Sequence, residues 1–225
     1  MEHGFWLERW RDGRTGFHQP LVSPLLQKHW PQLGLARGSK AFVPLAGKSP
    51  DMAGLAAHGH TRLGLELSPV AARPFFADHG WQPRLHESRY GTHYSAGAIE
   101  LICGDAFGLD AAVLADCAAV YDRAALIALP PAMRAGYVDG LMARLPAGCR
   151  GLLLTLEYAQ SEMDGPPFAV LEPEVRTRYA GSWDVALRER LDILAQEPGF
   201  AARGVSSMAT AVYGLQRWDE PWQSR

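Results

Sequence analysis

Ala119-Val-Tyr-Asp-Arg-Ala-Ala-Leu-Ile-Ala-Leu-Pro-Pro131 decides how the rest of this chain is read. Its apolar run stops at Asp122-Arg123, and Pro130-Pro131 then opens a helical pattern with Met133, Tyr137 and Leu141 on one face. Short apolar runs of this kind are strands covered on both faces, and the C-terminal ends of such strands face the ligand crevice of an α/β protein. Asp122 and Arg123 are therefore expected at a crevice. Taken alone, an Asp-Arg pair after a strand more often forms a surface salt bridge, so the neighbouring segments must decide.

Working outward, Ala41 to Leu45, Thr61 to Leu67, Ala98 to Cys103 and Gly151 to Leu156 are further apolar runs, each separated from the next by a helical stretch. Ser49-Pro50-Asp51 supplies an N-cap, a proline at the first helical position and an acid in the first turn, and Gly59 closes that helix. Ser68-Pro69 repeats the capping chemistry. Pro74 then falls inside the helix, where a proline costs about 3 kcal/mol or kinks it. Near the end, Val185 to Leu191 and Val205 to Leu215 alternate and are separated by Pro198-Gly199, so they should pair antiparallel. The expected fold is α/β, a Rossmann-like, mostly parallel doubly wound sheet with a C-terminal antiparallel hairpin.

Before the first strand, Trp6 and Trp10 lie four apart, and Pro20 starts a second helical segment carrying Leu21, Val22, Leu25, Leu26 and Trp30. Residues 1–30 read as a helical lid on a single domain spanning 1–225, a length that buries one substantial core. The net charge of -2 shows no basic surplus to attract nucleic acid or an anionic membrane. No apolar run approaches the roughly 20 residues of a membrane span, and the N-terminus lacks a basic region before an apolar core. Cys103, Cys117 and Cys149 are odd in number and far apart, which suits reduced thiols. His58 and His60, two apart, read as a helix end rather than a metal site. The expectation is a cytoplasmic, monomeric protein without a metal.

Phe42-Val-Pro-Leu-Ala-Gly-Lys-Ser49 ends like a phosphate-binding loop, but the first glycine of that motif is replaced by Phe42, and Pro44 disturbs the cradle. What survives is a tight strand-to-helix turn of the type on which a nucleoside cofactor lies. Glu66 ends the next strand, about 20 residues after Gly47, where an acid accepts hydrogen bonds from ribose hydroxyls. The alternative is a solvated strand-end carboxylate. Asp105 and Ala106 follow the third strand and fit the same crevice, facing an adenine edge. A nicotinamide-dependent oxidoreductase shares the ribose acid but needs a Gly-x-Gly-x-x-Gly turn that this chain lacks. A nucleoside-binding module without chemistry remains a further reading.

Phe5-Trp-Leu-Glu-Arg-Trp10, Gly16-Phe-His-Gln-Pro20, Phe42-Val-Pro-Leu45 with Gly47-Lys-Ser49, Leu65-Glu-Leu-Ser68, Cys103-Gly-Asp105, Tyr121 to Pro131 and Gly165-Pro-Pro-Phe168 occur in one order. In that ordered set the chain resembles the thiopurine S-methyltransferase family, from the N-terminus to about residue 170. The resemblance implies a class I methyltransferase fold and the methyl donor S-adenosylmethionine, with S-adenosylhomocysteine as product. By motif position it puts cofactor contacts on Trp10, Leu45, Glu66 and Arg123, and an aromatic contact to the substrate ring on Phe17. It implies a thiopurine or other aromatic thiol as acceptor, with selenium and tellurium species or small thiols as the alternative. Ala46 stands where the family usually has Cys, and Pro74 interrupts a helix the family leaves unbroken. Trp10 could hold a cation on its ring face. Arg123 is the candidate catalytic group. Always charged, it cannot be a base, so its expected part is to favour a thiolate or hold a carboxylate.

Overall fold

In the computed structural model, which describes residues 3–15 and 19–219, nine strands form one sheet. They are β1 (Lys40–Val43), β2 (Thr61–Glu66), β3 (Arg84–Ser88), β4 (Gly91–Ala96), β5 (Ile99–Cys103), β6 (Cys117–Asp122), β7 (Arg150–Glu157), β8 (Trp183–Asp192) and β9 (Ala209–Arg217). Their spatial order is β3-β4-β5-β2-β1-β6-β7-β9-β8. The five central strands, β5-β2-β1-β6-β7, run parallel. The last two add antiparallel, as the alternating C-terminal stretches predict.

The opposite edge departs from expectation, because β3 and β4 form a second antiparallel wing on β5. Arg84–Ser88 is exposed along its whole length and carries Arg, His, Glu and Ser, so no apolar alternation marks it as a strand. Its pairing rests on the Arg89-Tyr90 turn that leads into Gly91, the first residue of β4. Gly91, at φ 125°, packs where a side chain would strike the Cys103 carbonyl.

The helices are α1 (His3–Arg11), α2 (Pro24–His29), α3 (Asp51–Ala57), α4 (Pro69–Asp78), α5 (Ala111–Leu114), α6 (Ala125–Ala128), α7 (Pro131–Ala135), α8 (Glu172–Tyr179) and α9 (Pro198–Ala201). Helix α2 begins at Pro24 and not at Pro20; Ser23-Pro24 makes the start, and Leu21 is left exposed. Ser68 caps α4 as expected, its Oγ accepting the Val70 N–H at 3.3 Å. Helix α3 starts one residue later than expected: Pro50 takes the cap position, and Ser49 Oγ, just before it, accepts the Asp51 N–H at 3.2 Å. Helix α4 runs through Pro74 without interruption. The carbonyl that Pro74 leaves without an amide, four residues back, belongs to Val70, which is exposed, so water can serve it. After α7 the chain widens into a π-helical stretch at Gly136–Leu141 that carries Tyr137 inward.

Side chains alternate across the strands and bury both faces of the sheet. Phe42, Leu63, Leu65, Val120 and Leu153 pack under Leu126, Tyr137 and Leu141 on one side. Ala41, Val43, Leu101, Tyr121 and Leu152 meet Trp30, Phe75 and Phe76 on the other. Each such buried side chain contributes about 1.5–3 kcal/mol. A smaller cluster of Tyr158, Met163, Val205 and Met208 lies under the C-terminal loops. No helix of the described residues is long and apolar enough to cross a membrane.

Candidate active site

The strand order places β2 on one side of β1 and β6 on the other, so their connections leave a crevice at the C-terminal ends of the strands. A cavity of about 920 Å³ opens there, lined by the ends of β1, β2 and β5, by Trp6 and Trp10 of α1, and by residues 19–25.

The turn after β1 forms its floor. β1 ends at Val43, and Leu45, expected in the strand, instead takes a left-handed conformation at φ 48°. That conformation is uncommon for a non-glycine residue and clusters at functional sites. The Ala46 N–H donates to the Leu65 carbonyl at 2.7 Å, tying the turn to β2. Gly47, at φ 55°, has no side chain where the Trp10 ring packs: a Cβ would lie 3.1 Å from it. Lys48, also at the cavity, pairs with Asp78, Nζ lying 3.2 Å from Oδ2.

Glu66 closes β2 and faces this turn. Its Oε2 accepts the Gly47 N–H at 2.8 Å and its Oε1 the Ser68 N–H at 2.8 Å. Both oxygens retain acceptor capacity. Burial pushes the Glu66 carboxyl up to about 7, against the pull of the Ser68, Gly47 and Leu67 amides. Beyond β5, Asp105 Oδ1 accepts the Phe107 N–H at 3.0 Å and starts a single 3₁₀ turn that presents Ala106 to the cavity.

Asp122, the last residue of β6, and Arg123 just after it separate. Asp122 is fully buried and does not line the cavity, contrary to its expected place as a working group at the crevice. Its Oδ1 accepts the amides of Ala125 and Leu126 at 3.0 and 3.3 Å, and its Oδ2 the Tyr137 hydroxyl at 2.7 Å. It thus caps α6 and fixes Tyr137, which does line the cavity. Burial raises the Asp122 carboxyl to about 6, with the Tyr137 hydrogen bond opposing. Arg123 faces the cavity, and its Nη1 donates to Asp51 Oδ2 at 2.6 Å. Asp51 is itself fully buried and also accepts the Tyr121 hydroxyl at 3.0 Å and the Ser23 N–H at 2.7 Å.

The remaining wall is mostly apolar. Ile127, Met133, Leu156, Pro166, Ile193 and Phe200 contribute to it, with Glu197 and Arg203 among its polar members. A nucleoside cofactor fits this donor and acceptor set: a buried acid between two amides, an open strand-to-helix turn, and room for a second ligand in a volume at the upper end for small-molecule sites.

Over residues 1–218 the chain matches the family model described as Thiopurine S-methyltransferase (TPMT). The chain belongs to the thiopurine S-methyltransferase family. A thiopurine S-methyltransferase of Nitrosomonas eutropha is 64% identical over 217 residues, covering 96% of this chain and 99% of the relative. One of Xanthomonas campestris pv. campestris is 58% identical over 217 residues, covering 96% and 100%. Among solved structures, a Burkholderia thailandensis 1,6-didemethyltoxoflavin-N1-methyltransferase, with bound 1,6-didemethyltoxoflavin and S-adenosylhomocysteine, superposes with a TM-score of 0.63 at 16% identity, covering 96% of this chain and 87% of that one. That likeness shows the class I methyltransferase fold. As a member of the thiopurine S-methyltransferase family, this chain is an S-adenosylmethionine-dependent methyltransferase.

In this methyltransferase Trp10, Leu45, Glu66, Asp105, Ala106 and Arg123 share one cavity. Phe17 lies outside the described residues. Sequence reading missed Asp51, which it took as an acid for the helix dipole, because its partners Ser23, Tyr121 and Arg123 come from other segments. Phe200, Ile193 and Arg203 were missed as well; the only local signal was the Pro198-Gly199 break beside them.

Proposed function

We propose that this enzyme transfers the methyl group of S-adenosylmethionine to the sulfur of thiopurines or other aromatic and heterocyclic thiols. The observation that carries the reading is Glu66, a buried carboxylate held by two amides and open to a cavity with an apolar far wall. Glu66 accepts the ribose hydroxyls, and Leu45, Ala106 and Asp105 border the adenosine. Trp10 covers the turn at Gly47, and residues 1–30 act as the lid of one domain spanning 1–225. When bound, the donor supplies an electrophilic methyl on a sulfonium. The protein's task is then alignment and exclusion of water, and alignment alone can contribute about 7–11 kcal/mol.

Arg123 is the catalytic group of this reading. Its guanidinium, anchored on Asp51, favours the thiolate form of the acceptor electrostatically and moves no proton itself. Phe17 contacts the acceptor ring. The apolar wall of Ile193, Phe200 and Pro166 suits an aromatic ring better than a hydrated selenium or tellurium oxyanion. Three free cysteines support a cytoplasmic setting.

Calorimetric titration with S-adenosylhomocysteine, NADH and ATP tests the cofactor, and a methyl-transfer assay on an aromatic thiol tests the acceptor. Selective S-adenosylhomocysteine binding that Glu66→Ala weakens is the expected result. A preference for NADH or ATP overturns the reading.

A further inference from the structure

The antiparallel wing that the sequence did not reveal brings three metal-ligating side chains together. His86 on β3 and His93 on β4 are direct cross-strand partners, and Glu100 on β5 pairs with Ser95, two residues along β4 from His93. Alternation puts all three on one face of the sheet. One ligand atom from each lies within 4.8 Å of the others, and the two imidazole rings are 4.2 Å apart. We propose that His86, His93 and Glu100 form a binding site for a divalent transition metal of zinc-like chemistry.

Two imidazoles and a carboxylate, with water in the fourth position, are a donor set suited to zinc. His93 is buried, so its ring is fixed before any ion arrives. Its Nδ1 meets Glu100 Oε1 at 2.6 Å, and its Nε2 meets Ser88 Oγ at 2.6 Å. A metal-bound histidine characteristically has its far nitrogen held by another polar group, and Ser88 supplies that hold. Ser88 is in turn oriented by the Tyr90 N–H, which donates to its Oγ at 3.0 Å.

The ion takes Nδ1 of a neutral His93 whose Nε2–H is donated to Ser88 Oγ, and the proton held between Nδ1 and Glu100 leaves as the cation enters. Bonds of about 2.0–2.2 Å to a tetrahedral ion hold two donors about 3.3 Å apart, so the 2.6 Å contact between His93 Nδ1 and Glu100 must open by about 0.7 Å. His86, exposed at the sheet edge, turns its ring to complete the set. Each ligand sits on a different strand, so no ligand spacing shows in the sequence. The site joins both strands of the hairpin to β5, whose end leads into Gly104-Asp105 at the cavity, but none of the three ligands lines the cavity itself.

The test uses tag-free protein stripped with a chelator, then titrated with zinc chloride by calorimetry and with cobalt(II) by visible absorption. The expected result is one equivalent of zinc, bound at least tenfold more weakly by His86→Ala and by Glu100→Gln, with cobalt bands lost in both variants. His86 is exposed, so His86→Ala keeps the fold, and unchanged S-adenosylhomocysteine affinity checks this. Wild-type and His86→Ala titrations that coincide overturn the site. So does zinc uptake that follows His58→Ala instead.

Discussion

One wall of the cavity is made of strand ends, the other of loops, and they are held in different ways. On the strand side, Leu45, Gly47, Glu66 and Ser68 lie on two adjacent parallel strands and their outgoing turns, which are locked by hydrogen bonds from the Gly47 and Ser68 amides to the single Glu66 carboxylate. On the loop side, Pro166, Ile193 and Phe200 come from separate loops, and Ile193 and Phe200 lay their side chains against the small cluster of Tyr158, Met163, Val205 and Met208. Backbone contacts of the first kind tolerate little change, since removing the acceptor leaves two amides unpaired in a buried place. Side-chain contacts of the second kind can be trimmed one at a time. Cofactor recognition should therefore fail abruptly on mutation, and acceptor recognition gradually.

Glu66→Ala is the strongest attempt to break this contrast. It orphans the Gly47 and Ser68 amides and removes the ribose acceptor, at about 3 kcal/mol or more. Affinity for S-adenosylhomocysteine should fall on the order of 100-fold, read by calorimetry. A loss below fivefold would put the cofactor elsewhere. Asp51→Asn comes next. Breaking one partner of a buried ion pair costs about 3–5 kcal/mol, and the partial exposure of Arg123 brings the expectation down to about 2–3 kcal/mol of stability. The kcat on an aromatic thiol should fall about tenfold while S-adenosylhomocysteine affinity changes less than threefold. Equal losses in both would mean that Asp51 supports the fold alone.

The same contrast explains what the sequence could and could not say. Parallel strands and their caps are local: Ser49, Ser68 and Gly59 announce helix ends wherever the chain goes, and apolar runs mark β1, β2, β5, β6 and β7. Glu66 was legible because its partner glycine lies one strand-turn-helix unit upstream, a distance set by the unit itself. Asp51 was not, since its three partners come from the N-terminal segment and from β6, and only tertiary packing joins them. Asp122 misled for a related reason. Position at a strand end fixes where a residue stands, but the following tight turn drew its carboxylate back onto the amides of α6. β3 was invisible because both of its faces carry polar residues, and its place is dictated by the turn and by β4.

A pH titration sharpens the strand side of the comparison. With the Glu66 carboxyl raised to about 7 by burial, the unliganded enzyme holds this proton below pH 7. Folded-state stability from this group is then present at low pH and lost as pH rises from the usual carboxyl range through 7. Ribose hydroxyls need the ionised acceptor, so ligand affinity has the opposite sign. It should be constant above pH 7 and weaken by up to about tenfold per unit below it. Asp122 titrates nearby, at about 6, with the same sign for stability. Glu66→Gln separates the two: it should flatten the affinity profile while leaving the Asp122 contribution to thermal stability in place.

The smallest effect tests the loop side. Phe200 lines the cavity and packs against the cluster of Tyr158, Met163, Val205 and Met208, and it is only partly buried. Phe200→Ala therefore removes ring contact with an acceptor more than it opens a void in a core. A lost aromatic contact of about 1 kcal/mol corresponds to a KM for aromatic thiols raised about fivefold, with kcat nearly unchanged because the methyl donor and Arg123 stay aligned. S-adenosylhomocysteine affinity should stay within twofold of wild type. A small aliphatic thiol, which cannot reach the ring, should show no KM change at all. If the variant lost cofactor affinity as well, the two walls would be coupled through α9 and the separation drawn between them would not hold.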